Sequence, residues 1–124
     1  MKDIENKDDI KKMVDSFYSS VQNDSLIGPI FNGIIKNNWP EHLKKMYGFW
    51  NTILFNVREY SGSPFPPHAK LPIERKHFDR WLELFNANMK NHFQGKKADE
   101  AKWRAEKMAE MFNFKIEFLN KEKS

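Results

Sequence analysis

The sequence predicts an all-α domain, and three observations indicate this fold class. Apolar residues recur at helical spacing along most of the chain, and no segment alternates polar and apolar residues as a strand does. Four of the six prolines fall between residues 56 and 74, where they separate two helical regions. The 124 residues, 40% of them apolar and 31% charged, are enough for one core. We therefore take 1–124 as a single domain and expect residues 1–7 and 120–124 to fray.

The first helix is predicted from six apolar residues that share one face over three turns. They are Ile10, Met13, Val14, Phe17, Tyr18 and Val21. Asp8 and Asp9 stand at its start, where acidic side chains cap free N–H groups and complement the helix dipole. We expect this helix to end near residues 23–24. Gly28-Pro29 then predicts a turn.

The second helix is expected to begin near Asn38-Trp39-Pro40, because Asn is a good N-cap and Pro is tolerated in the first turn. Apolar residues and one histidine cover more than half of its circumference. They are His42, Leu43, Met46, Tyr47, Phe49, Trp50, Ile53 and Leu54. A helix this apolar lies between layers or covers something large.

The proline-rich segment between residues 56 and 74 predicts a long, stiff loop, and such loops inside compact domains are usually functional. The third helix is expected from Glu74 to Phe93, and Gly95 breaks the pattern after it. The fourth is expected from Ala98 to Leu119. Its predicted inward face consists of Ala101, Ala105, Met108, Ala109, Phe112, Ile116 and Leu119.

Composition excludes several classes of function. Cysteine is absent, which removes disulfides, thiol catalysis and thiolate metal sites, and no glycine-rich phosphate-binding motif occurs. The mean hydropathy of −0.79 and the charged N-terminus favour neither a membrane span nor a secretory signal, so we expect a cytoplasmic protein. The net charge of +4 is a weak nucleic-acid signal, and acidic residues interrupt the basic ones between residues 90 and 107.

Polar groups at apolar positions are the candidates for chemistry. Tyr18 and His42 lie on predicted buried faces, Trp81 lies on the stripe of the third helix, and His68 lies in the proline-rich loop. Each could be a satisfied core or surface residue, with Tyr18 donating to a backbone carbonyl. Alternatively, Tyr18, His42 and Trp81 converge on one apolar pocket, which is the usual form of a ligand site. His92, at the end of the third helix, fits a helix-dipole role.

An ordered set of motifs resembles the truncated haemoglobins, in particular their third, bacterial group. The resemblance covers residues 8 to 118, and the paired glycine motifs of the other two groups are absent. It implies a shortened globin fold, a two-over-two helical sandwich around haem b. The motifs are Phe17-Tyr18, Leu26-x-Gly-Pro-Ile-Phe31, Trp39-x-x-His42 with Phe49-Trp50, the loop residue His68, and Phe78-Asp-Arg-Trp-Leu-Glu-Leu-Phe85.

The resemblance also implies a role for each matching residue. His68 matches the proximal ligand of the haem iron. Tyr18 matches the distal phenol that donates to a bound ligand, Trp81 the distal tryptophan, and His42 the histidine that gates access. The expected pocket walls are Phe31, Met46, Phe49, Leu71 and Phe85, and the expected partners of the haem propionates are Lys70, Arg75 and His77.

The implied function is binding of oxygen or another small ligand, such as nitric oxide or peroxide, at a five-coordinate haem iron. Two donors in a dry site predict tight retention, which favours redox chemistry, detoxification or sensing over oxygen delivery. Peroxidase-like activity, or a redox reaction of nitric oxide or oxygen, stays open. We expect an unidentified reductase partner and a monomer. The alternative is a cofactor-free helical interaction module, which would show no Soret band after haem addition.

Overall fold

Five α-helices run through residues 1–58 and 72–122, the part of the chain that this computed structural model describes. They are α1 (Lys7–Gln22), α2 (Gly28–Ile35), α3 (Trp39–Phe55), α4 (Arg75–His92) and α5 (Lys96–Glu122), with one 3-10 turn at Lys36–Asn38. These residues contain no β-strand, so the all-α prediction is confirmed. Among them, no helix combines the length and the apolar character that crossing a membrane requires.

The prediction of a turn at Gly28-Pro29 is wrong, because these two residues form the first turn of α2. The Asp24 carboxylate organises the chain just before it, accepting hydrogen bonds from the backbone N–H groups of Leu26 at 3.1 Å and Ile27 at 3.0 Å. Gly28 is needed here because a Cβ atom would lie 2.9 Å from the carbonyl oxygen of Gln22 at the end of α1. The proline therefore starts a helix that is tucked against its predecessor.

The N-terminal residues, expected to fray, instead hold the start of α5. Ile4 is buried in the core, and the Asp3 carboxylate accepts backbone hydrogen bonds from Lys97 at 2.9 Å and Ala98 at 2.8 Å. Gly95 makes room for this contact, since its φ is +142° and a Cβ atom would lie 2.5 Å from Asp3 Cγ. A cap supplied by Asp3 thus joins the N-terminal segment to the start of the last helix.

The last helix is longer than predicted. It continues through Asn120 to Glu122, and residues 123 and 124 lie outside the described part. Leu119, predicted to face inward, is exposed. The other six residues of the predicted inward face are buried or partly buried.

The helices form two pairs, α1 with α3 and α4 with α5, and α1 also packs on α4. Phe17 and Met13 of α1 meet Phe85 and Met89 of α4 in the buried core. The Asn88 side-chain amide donates to the backbone carbonyl of Met13 at 3.1 Å and so fixes this contact. The two pairs leave a cleft between them.

Two further polar contacts hold the pairs in place. The Arg80 guanidinium on α4 donates to the buried Asp24 carboxylate at 2.7 Å, which ties α4 to the segment between α1 and α2. The Tyr47 hydroxyl on α3 donates to the Asp15 carboxylate on α1. The first contact joins α4 to the segment that follows α1, and the second joins the middle of α3 to the middle of α1.

Candidate functional site

The cleft has about 830 Å³ of empty space, a volume that includes space open to the solvent. All five helices contribute to its walls, and nearly all of the lining side chains are apolar or aromatic. They are Tyr18, Ile27, Phe31, His42, Met46, Phe49, Trp50, Ile73, His77, Phe78, Trp81, Met108, Ala109 and Phe112. Tyr18, His42 and Trp81 all line this one apolar cleft, which is the second of the two alternatives that the sequence left open.

Tyr18 is the one phenol among the described residues that line the cleft, and it is almost completely buried. Its ring packs edge-on against Phe17 at 4.9 Å and Phe31 at 6.4 Å between ring centroids. Burial raises the pKa of Tyr18 above its ordinary value, so the hydroxyl stays protonated and can donate. Within residues 1–58 and 72–122 this hydroxyl has no hydrogen-bond partner. A buried donor of this kind costs free energy unless something polar meets it in the cleft.

His42 and Trp39 form one edge of the cleft beside Tyr18. The His42 ring centroid lies 5.3 Å from that of Tyr18 and 5.6 Å from that of Trp39, both at nearly perpendicular angles. The Trp39 indole N–H donates to the Asn32 side chain at 3.1 Å, and the Asn32 amide donates to the Gln22 carbonyl at 3.2 Å. The Gln22 carbonyl at the end of α1 thus holds Asn32, and Asn32 holds the Trp39 ring that packs against His42.

Sequence reasoning missed this role of Trp39. The signal was its position three residues before His42, which places both rings on the same face of one helix.

Trp81 is fixed by aromatic neighbours on both sides. It stacks on Phe85 at 5.6 Å with an interplanar angle of 16° and meets the edge of Phe17 at 5.3 Å. Phe85 in turn stacks on Trp50 at 5.4 Å. Phe85, expected in the pocket wall, is fully buried behind Trp81 and supports that wall rather than lining it.

The remaining predicted residues divide into three groups. Phe31, Met46 and Phe49 line the cleft as expected, and so does His77. Arg75 does not line the cleft, because it faces a second groove between α4 and α5. His68, Lys70 and Leu71 lie outside the described residues.

The orientation of His77 follows from the start of α4. Its Nδ1 accepts a hydrogen bond from the backbone N–H of Glu74 at 2.8 Å, as part of a capping box. The neutral ring therefore carries its proton on Nε2, which remains able to donate at the cleft.

Several wall residues were not predicted as site residues, among them Ile73, Phe78, Met108 and Phe112. Met108 and Phe112 were expected on the inward face of the last helix, but as ordinary core. Their spacing alone does not separate packing against protein from packing against a ligand.

The cleft residues fit a large, flat, apolar cofactor with a polar ligand beside it. Aromatic and aliphatic walls would cover a macrocycle, and the buried Tyr18 hydroxyl supplies a donor for something polar inside. Together, two packed helix pairs and this cleft define a protein with a shortened globin-type fold.

Comparison with known proteins identifies the family. The chain matches the model of the bacterial-like globin family over residues 2–117. It is 35% identical over 88 residues to Group 3 truncated hemoglobin ctb of Campylobacter jejuni, covering 68% of this chain and 69% of that protein. It also superposes on the crystal structure of group III truncated hemoglobin from Campylobacter jejuni with a TM-score of 0.85, at 30% identity over 94% of this chain and 95% of that one. The chain belongs to the group III truncated haemoglobins.

Proposed function

We propose that this globin binds haem b in the cleft through His68 and holds oxygen or another small diatomic ligand tightly there, through Tyr18 and Trp81. The observation that carries the proposal is the Tyr18 hydroxyl, which is buried, protonated and without a partner in the described part of the chain. An apolar cleft with one such donor has a preformed place for a polarised ligand.

When bound, haem supplies an iron with one open coordination position for a small ligand. The Tyr18 O–H would donate a hydrogen bond to that ligand, and the N–H of Trp81, which also lines the cleft, would be the second donor. Because the cleft is dry, a donor to a partly charged acceptor contributes roughly 1.5–3 kcal/mol. At about 1.4 kcal/mol for each factor of ten, such donors slow ligand release strongly. Slow release suits redox chemistry, detoxification or sensing better than delivery.

Other residues would position the cofactor and the ligand. His77 would offer its Nε2–H to a propionate, and Lys70 is the second proposed partner. His42 gates access from the side that Trp39 closes. A reductase of unidentified kind would restore the ferrous state after oxidation.

Haem titration of the apoprotein tests the proposal. The parent should take up one haem and develop a Soret band, and His68→Ala should lose the ligated spectrum and regain it on addition of imidazole. His92→Ala is the matched control, because His92 ends α4 away from the cleft lining, and it should leave the spectrum unchanged. No Soret band in the parent would favour a cofactor-free interaction module. A His68→Ala spectrum equal to that of the parent would remove His68 as the ligand.

A further inference from the structure

We propose that two copies of this chain associate as an antiparallel homodimer through the exposed face of α5. Large apolar side chains lie on that face, which we call the α5 stripe. They are Trp103, Met111, Phe114 and Phe118, with 54%, 43%, 70% and 55% of their surface exposed. The opposite face of the same helix, including Ala101, Ala105 and Phe112, is buried in the core. A helix that is apolar on both faces is expected to be covered on both.

The area of the α5 stripe is large enough for a weak to moderate dimer. An aromatic side chain has a surface of roughly 200 Å². With the exposed fractions given above, Trp103, Phe114 and Phe118 together expose about 350 Å² to solvent. An apolar patch of several hundred Å² is characteristic of interaction sites. Two such faces, with the helix surface beside them, would bury on the order of 1,000 Å², the lower end of specific interfaces.

The spacing of the stripe makes a second copy the fitting occupant. Trp103, Lys107, Met111, Phe114 and Phe118 follow one another at intervals of four, four, three and four residues, which gives a continuous seam along the helix. The midpoint of the seam falls beside Met111. A two-fold axis there places Trp103 against Phe118 of the partner subunit, so the seam matches itself in the antiparallel direction.

Charge supports the same arrangement. Lys107 is the one cation within the seam, and the two-fold axis places it opposite Phe114 of the partner subunit, where an ammonium group over an aromatic ring is favourable. In the single chain its Nζ lies 3.6 Å from the Glu110 carboxylate in an exposed ion pair, which contributes little and can rearrange. A lipid surface, or an apolar partner without an aromatic ring at this position, would offer the Lys107 ammonium no cation–π contact.

The inference does not rest on haem binding. The cleft is lined by Met108, Ala109 and Phe112, which belong to the inward side of α5. Association through the outward side therefore leaves the cleft unchanged. The proposed dimer differs from the monomeric state expected from the sequence.

Sedimentation velocity from micromolar to millimolar concentration tests the proposal. The parent should shift from monomer to dimer, and Phe114→Glu or Phe118→Glu should raise the dissociation constant about tenfold or more. Ile34→Glu is the matched control, because Ile34 on α2 is also 51% exposed but lies outside the α5 stripe. Circular dichroism should show parent helix content in all of them.

A cross-linking experiment tests the antiparallel register, since the chain has no cysteine of its own. Met111→Cys, next to the two-fold axis, should form a disulfide-linked dimer under mild oxidation much faster than Ile34→Cys. A parent that stays monomeric at all concentrations would overturn the proposal, as would equal cross-linking of the two variants. Binding to lipid vesicles without self-association would overturn it too and assign the stripe to a membrane surface.

Discussion

Replacing Tyr18 with Phe removes a single oxygen atom from the cleft and leaves the ring in place. The ring keeps its contacts with Phe17 at 4.9 Å, His42 at 5.3 Å and Trp39 at 5.8 Å between centroids. Because the hydroxyl has no partner in the described part of the chain, its removal leaves no protein group unpaired. The free energy of unfolding of the apoprotein should therefore stay within about 1 kcal/mol of the parent value or rise.

Ligand release should change much more than stability. The lost hydrogen bond to a polarised ligand is worth roughly 1.5–3 kcal/mol in a dry cleft, so oxygen should dissociate about 10 to 150 times faster from Tyr18→Phe. Stopped-flow measurement on the ferrous haem-loaded protein gives the dissociation rate, and chemical denaturation of the apoprotein gives the stability.

Tyr47→Phe is the matched control, because Tyr47 donates to Asp15 outside the cleft lining. Burial and the hydrogen bond to Asp15 raise the pKa of Tyr47 to about 12, so this phenol has a structural partner. Its removal should lower stability and leave oxygen release unchanged. Equal dissociation rates in Tyr18→Phe and the parent would refute the assigned role of Tyr18. A large loss of stability in Tyr18→Phe would instead show that its hydroxyl is bound by the protein.

Two further changes test the supports of the cleft. The pKa of the Asp24 carboxyl lies below its ordinary value. Burial by itself acts to raise this pKa, but hydrogen bonds from backbone N–H groups and from Arg80 outweigh the effect of burial. The stabilisation is therefore complete above about pH 4 and is lost as the pH falls through the lowered pKa. Asp24→Asn should cost about 1–3 kcal/mol at pH 7, and urea unfolding should show this gap closing as the pH falls below about 4; a constant gap would contradict it. Asn32→Leu removes the acceptor of the Trp39 indole N–H, so the Trp39 ring should no longer hold His42 in place. Carbon monoxide binding, measured by flash photolysis, should become up to about tenfold faster, and the Soret band should stay the same. An unchanged rate would show that Trp39 does not hold His42.

Much of the fold follows from local sequence signals. The apolar stripes of α1 and α4 have the helical spacing that predicts them, and a capping box at Glu74 sets the start of α4. The predicted caps of the other two starts are wrong. Asn6 caps α1 in place of Asp8 or Asp9, and Asn38 makes no side-chain cap hydrogen bond to α3. The start of α2 escaped prediction because Gly28-Pro29 is equally typical of a turn. What decides between them is Asp24, whose buried carboxylate is held by Arg80 from a distant helix, and no local pattern reveals that contact. The N-terminal cap of α5 is missed for the same reason, since Asp3 lies at the other end of the chain.

The candidate site shows the corresponding limit for function. Burial against a cofactor and burial against protein produce the same apolar spacing, which is why Phe112 was predicted as core although it lines the cleft. Polar atoms at apolar positions distinguish a protein core from a ligand site. In a core their hydrogen-bond donors are paired with other protein groups, whereas in a ligand site some donors are left for the ligand. Asn88 and Tyr18 illustrate the contrast: both are buried, but the Asn88 amide meets a backbone carbonyl and the Tyr18 hydroxyl meets no described group. An unmatched buried donor is therefore the feature that separates a ligand cleft from a packing defect, and only a folded structure reveals it.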